Sequence, residues 1–424
     1  MRRPAATVFP VPSGLSRVSQ EPKLTGMKII DTDILVAGGG IAGLAATARL
    51  AAAGHDVICV DPAPAKSAGT DYRTTAFLEP AIATLEHAGA WAGMAPGAAP
   101  MWTMRLVDAG GRAREVRETA NFEAREMMDR PFGWNVANIA IRDALLSRLA
   151  RLPGARLVNG QTVAGLLPRS AEALARLSGG DQIRARLVLA ADGRDSSLRT
   201  GAGIEVRRWH YGQKALVFAV THARPHSGIS TEIHRTGGPL TLVPMPDRDG
   251  RPCSSVVWMA PGPRVTQLNA LDDTALGAEV TTETMQLFGP LEVTGPRALW
   301  PIIGQLAARL TSERLALIAE AAHVIPPIGA QGLNMSLADI ETIAELTGEA
   351  HAAGRDIGGP DLLAAYQRQR SPEMAARVAG IDLLNRAAQA SGQPLRDLRR
   401  AGLKAIHEIA PLRRLAMRLG LGIR

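Results

Sequence analysis

The stretch from Asp33 to Asp61, DILVAGGGIAGLAATARLAAAGHDVICVD, carries the most informative pattern of the sequence. It begins with the apolar run Ile34 to Ala37, passes through a glycine cluster into a segment rich in alanine, and ends with the apolar run Val57 to Val60. The two runs predict buried strands, and the segment between them predicts a helix that ends near Gly54. Strand, tight turn, helix and strand in this order open a parallel nucleotide-binding sheet.

The glycine cluster has the composition of a nucleotide-binding turn. Gly38, Gly40 and Gly43 follow the pattern G-x-G-x-x-G, directly after a predicted strand and at the start of a predicted helix. The first glycine allows the tight turn, the second lets the backbone approach a pyrophosphate, and the third lets helix and strand pack closely. The backbone amides of Ile41 and Ala42 then lie at the helix N-terminus, where they can meet phosphate charge.

Asp61 ends the second predicted strand, where an acidic side chain can accept hydrogen bonds from an adenosine ribose. The alternative is a glycine-rich turn in another kind of parallel sheet, but strand, helix and acid in this order favour the nucleotide. Thr47 stands where the extended pattern prefers glycine or alanine, which is a minor departure. These residues leave open whether the nucleotide belongs to FAD or to NAD.

Two later apolar runs have the same form. Leu187 to Ala191 leads into Asp192, and Leu315 to Ala319 leads into Glu320 and a loop rich in proline and glycine. Both predict buried strands that end in loops. Because the carboxyl ends of parallel strands meet at one edge of a sheet, we expect these loops and the glycine turn to face one ligand.

Composition excludes several classes of protein. The formal net charge is +8, from 48 basic and 40 acidic residues in 424, and the excess lies mainly in residues 1–28 and 395–424. A nearly neutral body argues against a nucleic-acid surface. Cys59 and Cys253 cannot build a disulfide framework or a four-cysteine metal site, and we expect no metal. No uncharged apolar run is long enough to span a bilayer.

Five segments outside the opening stretch also resemble a known family. They are DYRTTA at 71–76, WNVAN at 134–138, AADGRDS at 190–196, LIAEAAH at 317–323 and PIGAQGLN at 327–334. The third resembles the "DG" segment, and the last two resemble the "GD-AAH-P-GQGLN" segment, of single-component flavoprotein monooxygenases; the first two narrow the match within them. From about residue 30 to 424, the chain resembles the ubiquinone-biosynthesis hydroxylases, which belong to the para-hydroxybenzoate hydroxylase type.

The resemblance implies that the nucleotide is FAD, and it assigns further residues to the cofactor. Arg73 would line the flavin site, and Asp192 with Gly193 would contact the cofactor or shape the cleft beside it. Arg142, on the helix predicted after Asn138, either lies near the pyrophosphate or is a solvated surface residue.

The pair Ala319-Glu320 stands where the family has Gly-Asp, the acid of which holds the ribityl chain of the flavin. Glutamate keeps an acceptor for a hydroxyl but adds a methylene, and alanine replaces a glycine that allows close backbone approach. The resemblance implies that Glu320 still contacts FAD. The alternative is an acid favoured only by the dipole of a helix N-terminus.

The loop before the predicted helix at Leu333 would face the flavin ring. If that helix points its N-terminus at the ring, its amides and partial positive charge would stabilise the anionic reduced flavin. The cofactor residues that the resemblance implies here are Pro327, Gly329, Gln331, Gly332, Leu333 and Asn334. His323 is either a general base or a structural histidine, and we predict no catalytic acid or base.

The resemblance also implies the reaction. NAD(P)H would reduce FAD, and one oxygen atom of O2 would pass to an electron-rich aromatic ring, most simply a polyprenyl-phenol intermediate of ubiquinone biosynthesis. A single glycine pattern fits, because this family has no separate NAD(P)H domain. The segment Thr241 to Met245, with Trp258, would roof the substrate pocket. The alternatives are a hydroxylase of a small soluble aromatic compound and a catalytically silent flavin-binding subunit that assembles with other ubiquinone-biosynthesis enzymes.

The predicted fold is α/β, with a Rossmann-like FAD-binding domain, an inserted and mainly antiparallel β substrate domain, and C-terminal helices. The alternating pattern of residues 206–295 predicts the substrate domain. The FAD-binding domain takes residues 29–205 and 296–350, of which 100–130 are a candidate addition to the substrate sheet. Residues 1–28 are a predicted flexible arm, and Met27 is an alternative start.

Residues 351–424 are predicted to be helical, with interruptions at Gly380 and Pro411. Within 395–424, leucine and isoleucine fall on one side of the predicted helices and most basic residues on the other, so this tail is a candidate for an anionic membrane surface. The alternative is a helix pair packed on the body with its charges in water. The expected location is cytoplasmic, with this tail as the candidate contact with the inner face of the membrane.

Overall fold

The computed structural model describes residues 28–63, 71, 73–235 and 237–422. The predicted N-terminal arm, apart from Lys28, lies outside the described residues. The predicted fold class is confirmed, with a Rossmann-like domain, a second sheet that is mainly antiparallel, and helices at the C-terminal end.

The strands and helices are numbered in the order in which they occur along the chain. The strands are β1 (Ile29–Ala37), β2 (Val57–Asp61), β3 (Thr74–Leu78), β4 (Ala99–Met101), β5 (Thr103–Asp108), β6 (Glu118–Glu123), β7 (Gly133–Ala137), β8 (Ala155–Asn159), β9 (Val163–Pro168), β10 (Ala173–Leu177), β11 (Gln182–Ala190), β12 (Val206–His222), β13 (Ile229–His234), β14 (Pro239–Arg248), β15 (Arg251–Pro261), β16 (Leu291–Ala307), β17 (Thr311–Ser312), β18 (Leu315–Leu317) and β19 (His323–Val324). The helices are α1 (Ile41–Ala52), α2 (Glu79–His87), α3 (Trp91–Met94), α4 (Asn138–Leu149), α5 (Ser197–Gly201), α6 (Gly262–Asn269), α7 (Asp273–Glu283), α8 (Gln331–Ala352), α9 (Pro360–Gln389), α10 (Gln393–Glu408) and α11 (Ala410–Leu421).

The first sheet carries the nucleotide-binding pattern. Its strand order is β17-β18-β11-β1-β2-β8, and the five strands from β18 to β8 run parallel. Ile34, Leu35 and Val36 of β1 are fully buried, as expected of a strand covered by helices on both faces. The carboxyl ends of β1, β11 and β18 meet at one edge, as the three apolar runs predicted.

The second sheet has the order β19-β16-β12-β15-β14-β13-β5-β6, and only the pair β13–β5 is parallel among its described strands. Strands β5 and β6 come from the candidate region 100–130. One predicted boundary is corrected: residues 296–307 lie in this sheet and not in the FAD-binding domain. They continue β16, which pairs with β12 as far as Ala307 opposite Val206.

The C-terminal helices also differ from the sequence prediction in one detail. Helix α9 runs without interruption through Gly380. A glycine in a helix interior costs only about 1 kcal/mol, and Met374, Val378 and Ile381 are buried on the same helix and offset that cost. The second predicted break is confirmed, because α10 ends at Glu408 and α11 begins at Ala410, next to Pro411. No helix in the described part of the chain is long and apolar enough to cross a membrane.

Candidate active site

A cavity of about 590 Å³ opens at the edge of the first sheet where the carboxyl ends of β1, β11 and β18 meet. The predicted cofactor residues that line it are Gly40, Ile41, Ala42, Gly43, Arg73, Arg142, Gly193, Glu320, Gly332 and Leu333. The predicted residues that do not line it are Gly38, Asp61, Asp192, Pro327, Gly329, Gln331 and Asn334. The fold therefore brings segments from both ends of the chain around one space.

The three glycines of the turn differ in what surrounds them. Gly38 has φ +105°, and a Cβ added there would overlap the carbonyl oxygen of Ala191. A Cβ at Gly43 would overlap the carbonyl oxygen of Gly38, whereas a Cβ at Gly40 would meet no atom within 4 Å. The protein itself therefore requires the first and third glycines, and the second leaves an open cradle facing the cavity. A pyrophosphate fits this cradle, so the residues present suit a dinucleotide.

Arg142 lies at this turn rather than in solvent. Its Nη1 donates a hydrogen bond of 3.0 Å to the carbonyl oxygen of Gly39, and its side chain lines the cavity. Helix α4 carries the arginine past the N-terminus of α1, with which it packs. The guanidinium thus adds positive charge next to the cradle, where phosphate charge would be met.

Asp61 holds the turn from the other side. Its Oδ1 accepts a hydrogen bond of 2.8 Å from the Ala63 amide, and its Oδ2 accepts one from the Gly39 amide. Asp192 likewise stabilises a turn, since its Oδ2 accepts from the amides of Ser197 and Leu198 at the start of α5. Among the described residues, Asp192 Oδ1 is buried without a hydrogen-bond partner. A contact of either acid with a cofactor stays a prediction.

The departure at Ala319-Glu320 has a structural consequence. Ala319 has φ +54°, in the left-handed region that favours glycine, and its amide donates a hydrogen bond of 3.2 Å to Asp339 Oδ2. Glu320 follows in a short 3-10 turn, with 56% of its side chain exposed and its Oε2 3.8 Å from Arg194 Nε. Its carboxylate is thus at the rim of the cavity, where a hydroxyl can reach it.

In the first turn of α8, two residues line the cavity and two bind neighbouring elements of the fold. Gly332 and Leu333 line the cavity. Gln331 Nε2 instead donates to the carbonyl oxygen of Gly420, at 2.8 Å, and Asn334 Oδ1 accepts from the Leu78 amide, at 2.8 Å. Positions 331 and 334 share one face of the helix, which is turned to α11 and β3. These two predicted cofactor residues therefore hold the turn, and their side chains are not at the cavity.

His323 belongs to a buried ion cluster. Its Nε2 lies 2.8 Å from Asp339 Oδ2, and Asp339 Oδ1 accepts from Arg370 Nε at 2.9 Å. Burial alone would raise the pKa of Asp339, but the charges and hydrogen bonds of His323 and Arg370 lower it below its usual value. The cluster supports the structural interpretation of His323. Asp339 was not among the predicted site residues, although an acid at an apolar position of a helix is a signal of a buried ion pair.

A second group that the sequence analysis did not assign lines the cavity beside Arg73. Asp71 accepts from Arg73 Nε at 2.7 Å and from Asn138 Nδ2 at 2.8 Å, and Thr75 donates to Asn138 Oδ1 at 2.8 Å. Burial raises the pKa of Asp71, but these hydrogen bonds and the charge of Arg73 bring it below its usual value. The Arg73 guanidinium also lies 4.4 Å from the ring centroid of Trp300, which joins the cavity wall to the second sheet.

A second cavity, of about 350 Å³, lies between the β3-β7-β4 sheet and the second sheet. Ile139 lines both cavities, so the two adjoin. Met245, in the predicted roof, lines the second cavity. Trp258 does not, since it is buried in the core between the second sheet and its helices.

Comparison with known proteins agrees with this geometry. A family model described as FAD binding domain matches residues 31–380. Ubiquinone hydroxylase UbiL of Rhodospirillum rubrum is 35% identical over 402 residues, which cover 94% of this chain and 91% of that protein. The chain belongs to the FAD-dependent ubiquinone hydroxylase family. The hydroxylase is also similar to 3-demethoxyubiquinol 3-hydroxylase of Escherichia coli, 28% identical over 399 residues that cover 92% of this chain and 99% of that protein.

Solved structures share the fold of the hydroxylase. The p-nitrophenol 4-monooxygenase PnpA of Pseudomonas putida has a TM-score of 0.75 at 18% identity, covering 94% of this chain and 100% of that one. PqsL of Pseudomonas aeruginosa, in complex with 2-aminobenzoylacetate, has a TM-score of 0.74 at 21% identity, covering 88% and 99%. The family resemblance and the predicted cofactor are therefore confirmed: the chain is an FAD-dependent monooxygenase, and NAD(P)H is the reductant typical of its family.

Proposed function

We propose that the chain hydroxylates the aromatic ring of a polyprenyl-phenol intermediate of ubiquinone biosynthesis. The similarity to ubiquinone hydroxylase UbiL along nearly the whole chain carries this proposal. The reaction takes an aromatic C–H, O2, NAD(P)H and a proton to the ring hydroxyl, water and NAD(P)+. One oxygen atom enters the ring, and the two electrons of the nicotinamide reduce the other to water.

Bound FAD supplies the redox and oxygen chemistry, and the chain positions the cofactor. Gly40 and Arg142 would hold the pyrophosphate, because the first offers open space and the second a positive charge at the same turn. Glu320, at the rim, would accept from a hydroxyl of the ribityl chain. The amides of Gly332 and Leu333, in the first turn of α8, would face the ring and stabilise negative charge on it.

The second cavity is the proposed site of the aromatic ring. It adjoins the cofactor cavity at Ile139, and its lining combines apolar residues such as Ala137, Ala219 and Met245 with the charged residues Asp247 and Arg248. The apolar part of this wall suits the ring of a substituted phenol, and the polar part suits its hydroxyl group. Asn135 reinforces the wall, because its Nδ2 donates a hydrogen bond of 2.8 Å to the Pro244 carbonyl oxygen across the two sheets.

We also propose that the C-terminal helices touch the membrane surface where a polyprenylated substrate resides. The support is the orientation of α10 and α11, which turns part of the basic charge to the body and leaves apolar side chains in solvent. Arg399 and Arg396 face the body, whereas apolar side chains face outward. We name these outward side chains the C-terminal apolar surface; they are Leu395, Leu398, Ile409, Leu412, Leu415 and Leu419. Arg414 and Arg418 are exposed beside them and can meet anionic headgroups.

The quinone profile of a strain from which this gene is deleted tests the proposed substrate. We expect ubiquinone to fall and one precursor lacking a ring hydroxyl to accumulate. Restoring the parent gene should reverse both changes, and a Gly40→Ala gene should restore them poorly. Unchanged ubiquinone with no accumulated precursor would contradict the proposal and favour a small soluble aromatic substrate.

A further inference from the structure

Gln331 joins three segments of the chain at the start of α8. It is 8% exposed, and its Nε2 donates to the carbonyl oxygens of Gly420, at 2.8 Å, and of Gly329, at 3.0 Å. Its Oε1 accepts from Arg377 Nη1 at 2.7 Å. The side chain therefore connects the loop before α8 to α9 and to the end of α11.

The end of α11 is seated firmly at this point. Met417 and Leu421 are buried in one apolar cluster with Leu78. Gly422 ends the helix with φ +74°, and a Cβ added there would overlap the Arg377 guanidinium. A cation packed against the C-terminal end of a helix is favourable, because the helix dipole is negative there. Arg377 thus packs against the end of α11 and also donates a hydrogen bond to Gln331 Oε1.

The loop that Gln331 ties down is strained and needs such support. Gly329 has φ +61° and Ala330 has φ +57°, so two successive residues are left-handed. A non-glycine residue in that region costs on the order of 1 kcal/mol and persists only where the surrounding contacts impose it. The residues that follow Gln331 in the chain, Gly332 and Leu333, line the cofactor cavity.

We propose that Gln331 is a positioning residue and that α11 is the support through which it acts on the flavin site. By holding the loop against Gly420, Gln331 aims the first amides of α8 at the flavin ring. Amides at a helix N-terminus stabilise charge on a ring only while they keep their direction, so loosening the loop should weaken that stabilisation. This inference rests on the proposed placement of the ring against α8.

Sulfite binding by the FAD-loaded protein tests the proposal without turnover, because sulfite adds to oxidised flavin and its affinity increases with positive potential at the ring. The variants are Gln331→Met, a neutral side chain of similar length that can neither donate to Gly420 nor accept from Arg377, and Gly422→Ala, which strains the end of α11 at φ +74° and crowds the Arg377 guanidinium. Gly402→Ala is the matched control, since a Cβ there meets nothing within 4 Å. FAD affinity and thermal unfolding are measured in parallel.

We expect both variants to bind sulfite about three- to tenfold more weakly than the parent, as the loss of one to two buried hydrogen bonds implies. The Gly402→Ala protein should match the parent. Sulfite affinity within twofold of the parent in both variants would overturn the proposal. If the variants bind sulfite more weakly but the parent hydroxylates no prenyl-phenol, the positioning role of Gln331 holds and the proposed function is contradicted.

Discussion

Arg399 donates two hydrogen bonds to Asp108, from Nε at 3.0 Å and from Nη2 at 2.9 Å to Oδ2, across 291 residues of sequence. Asp108 is only 1% exposed and also pairs with Arg117, which in turn pairs with Asp397 of α10. These buried ion pairs fix the orientation of α10 on β5. Because the arginines are turned inward, the leucines on the opposite side of the helix are left in solvent.

The C-terminal apolar surface should bind anionic vesicles. We expect the triple variant Leu398→Asp, Leu415→Asp and Leu419→Asp to co-sediment at least tenfold less than the parent, because each leucine placed in the lipid interface contributes about 1.5 to 3 kcal/mol. Leu167→Asp is the control, since Leu167 is 55% exposed on the distant β9. Equal sedimentation of parent and triple variant would contradict membrane contact.

Gly40→Ala should separate cofactor binding from folding. The added methyl group meets no protein atom, so the free energy of unfolding without FAD should stay within about 1 kcal/mol of the parent. The same group occupies the space of the pyrophosphate, and overpacking of about 1 to 3 kcal/mol should weaken FAD binding about tenfold or more. Fluorescence titration of the apoprotein with FAD measures the FAD affinity, and urea unfolding of the apoprotein measures the free energy of unfolding.

The contrasting variant is Gly43→Ala, whose methyl group would overlap the Gly38 carbonyl oxygen and should destabilise the fold itself. Gly201→Ala adds a methyl group to open space on α5 and should change neither property. Parent-like FAD affinity in Gly40→Ala would count against the proposed pyrophosphate site.

Much of the fold follows from local sequence, and the exceptions have identifiable causes. The apolar runs around Ile34 and Val57 have no polar positions, so only buried parallel strands suit them, and the glycine turn between them is fixed by close contacts at Gly38 and Gly43. The boundary of the FAD-binding domain was wrong near residue 296 because the partner that extends β16, strand β12, lies far away in sequence. No local pattern indicates such a pairing.

For the site, the sequence predicts the backbone features but not the directions of the side chains. Backbone features such as the Gly40 cradle follow from residue type and spacing. Side-chain direction in the first turn of α8 does not, because Gln331 and Asn334 are drawn to Gly420 and Leu78 by the tertiary packing of α11 and β3. Which face of α10 is turned to the body was left open by the sequence for the same reason, since that orientation depends on the buried Asp108.

Ala319→Gly should stabilise the protein. Alanine is held at φ +54°, which costs about 1 to 2 kcal/mol, and glycine removes most of that cost while adding backbone entropy to the unfolded chain. The net gain should be about 0.5 to 1 kcal/mol in urea unfolding at saturating FAD. Ala322→Gly, at φ −92°, should lose stability instead. A loss of stability in both variants would show that Ala319 is not strained.

Asp339→Asn should remove a pH dependence of stability that the parent shows. The folded-state pKa of Asp339 lies below its usual 3.8, so its stabilising contribution is complete above that pH and is lost as the pH falls through the lower folded value. Removing the charge breaks a buried cluster with His323 and Arg370, which should cost about 3 kcal/mol at pH 7. Urea unfolding should show that the difference in the free energy of unfolding between parent and variant decreases below pH 4. A difference that stays constant from pH 7 to pH 3 would contradict a stabilising role of the Asp339 charge.

The proposed reaction transfers one oxygen atom from O2 to a prenylated phenol, and isotope labelling measures this transfer. The FAD-loaded protein is incubated with NADH or NADPH, a short-chain prenyl-phenol and oxygen-18 gas, and the products are analysed by mass spectrometry. We expect a ring-hydroxylated product that carries a single oxygen-18 atom, formed together with oxidised nicotinamide. Oxidation of the nicotinamide that yields only hydrogen peroxide, with no labelled ring product from any prenyl-phenol, would contradict it.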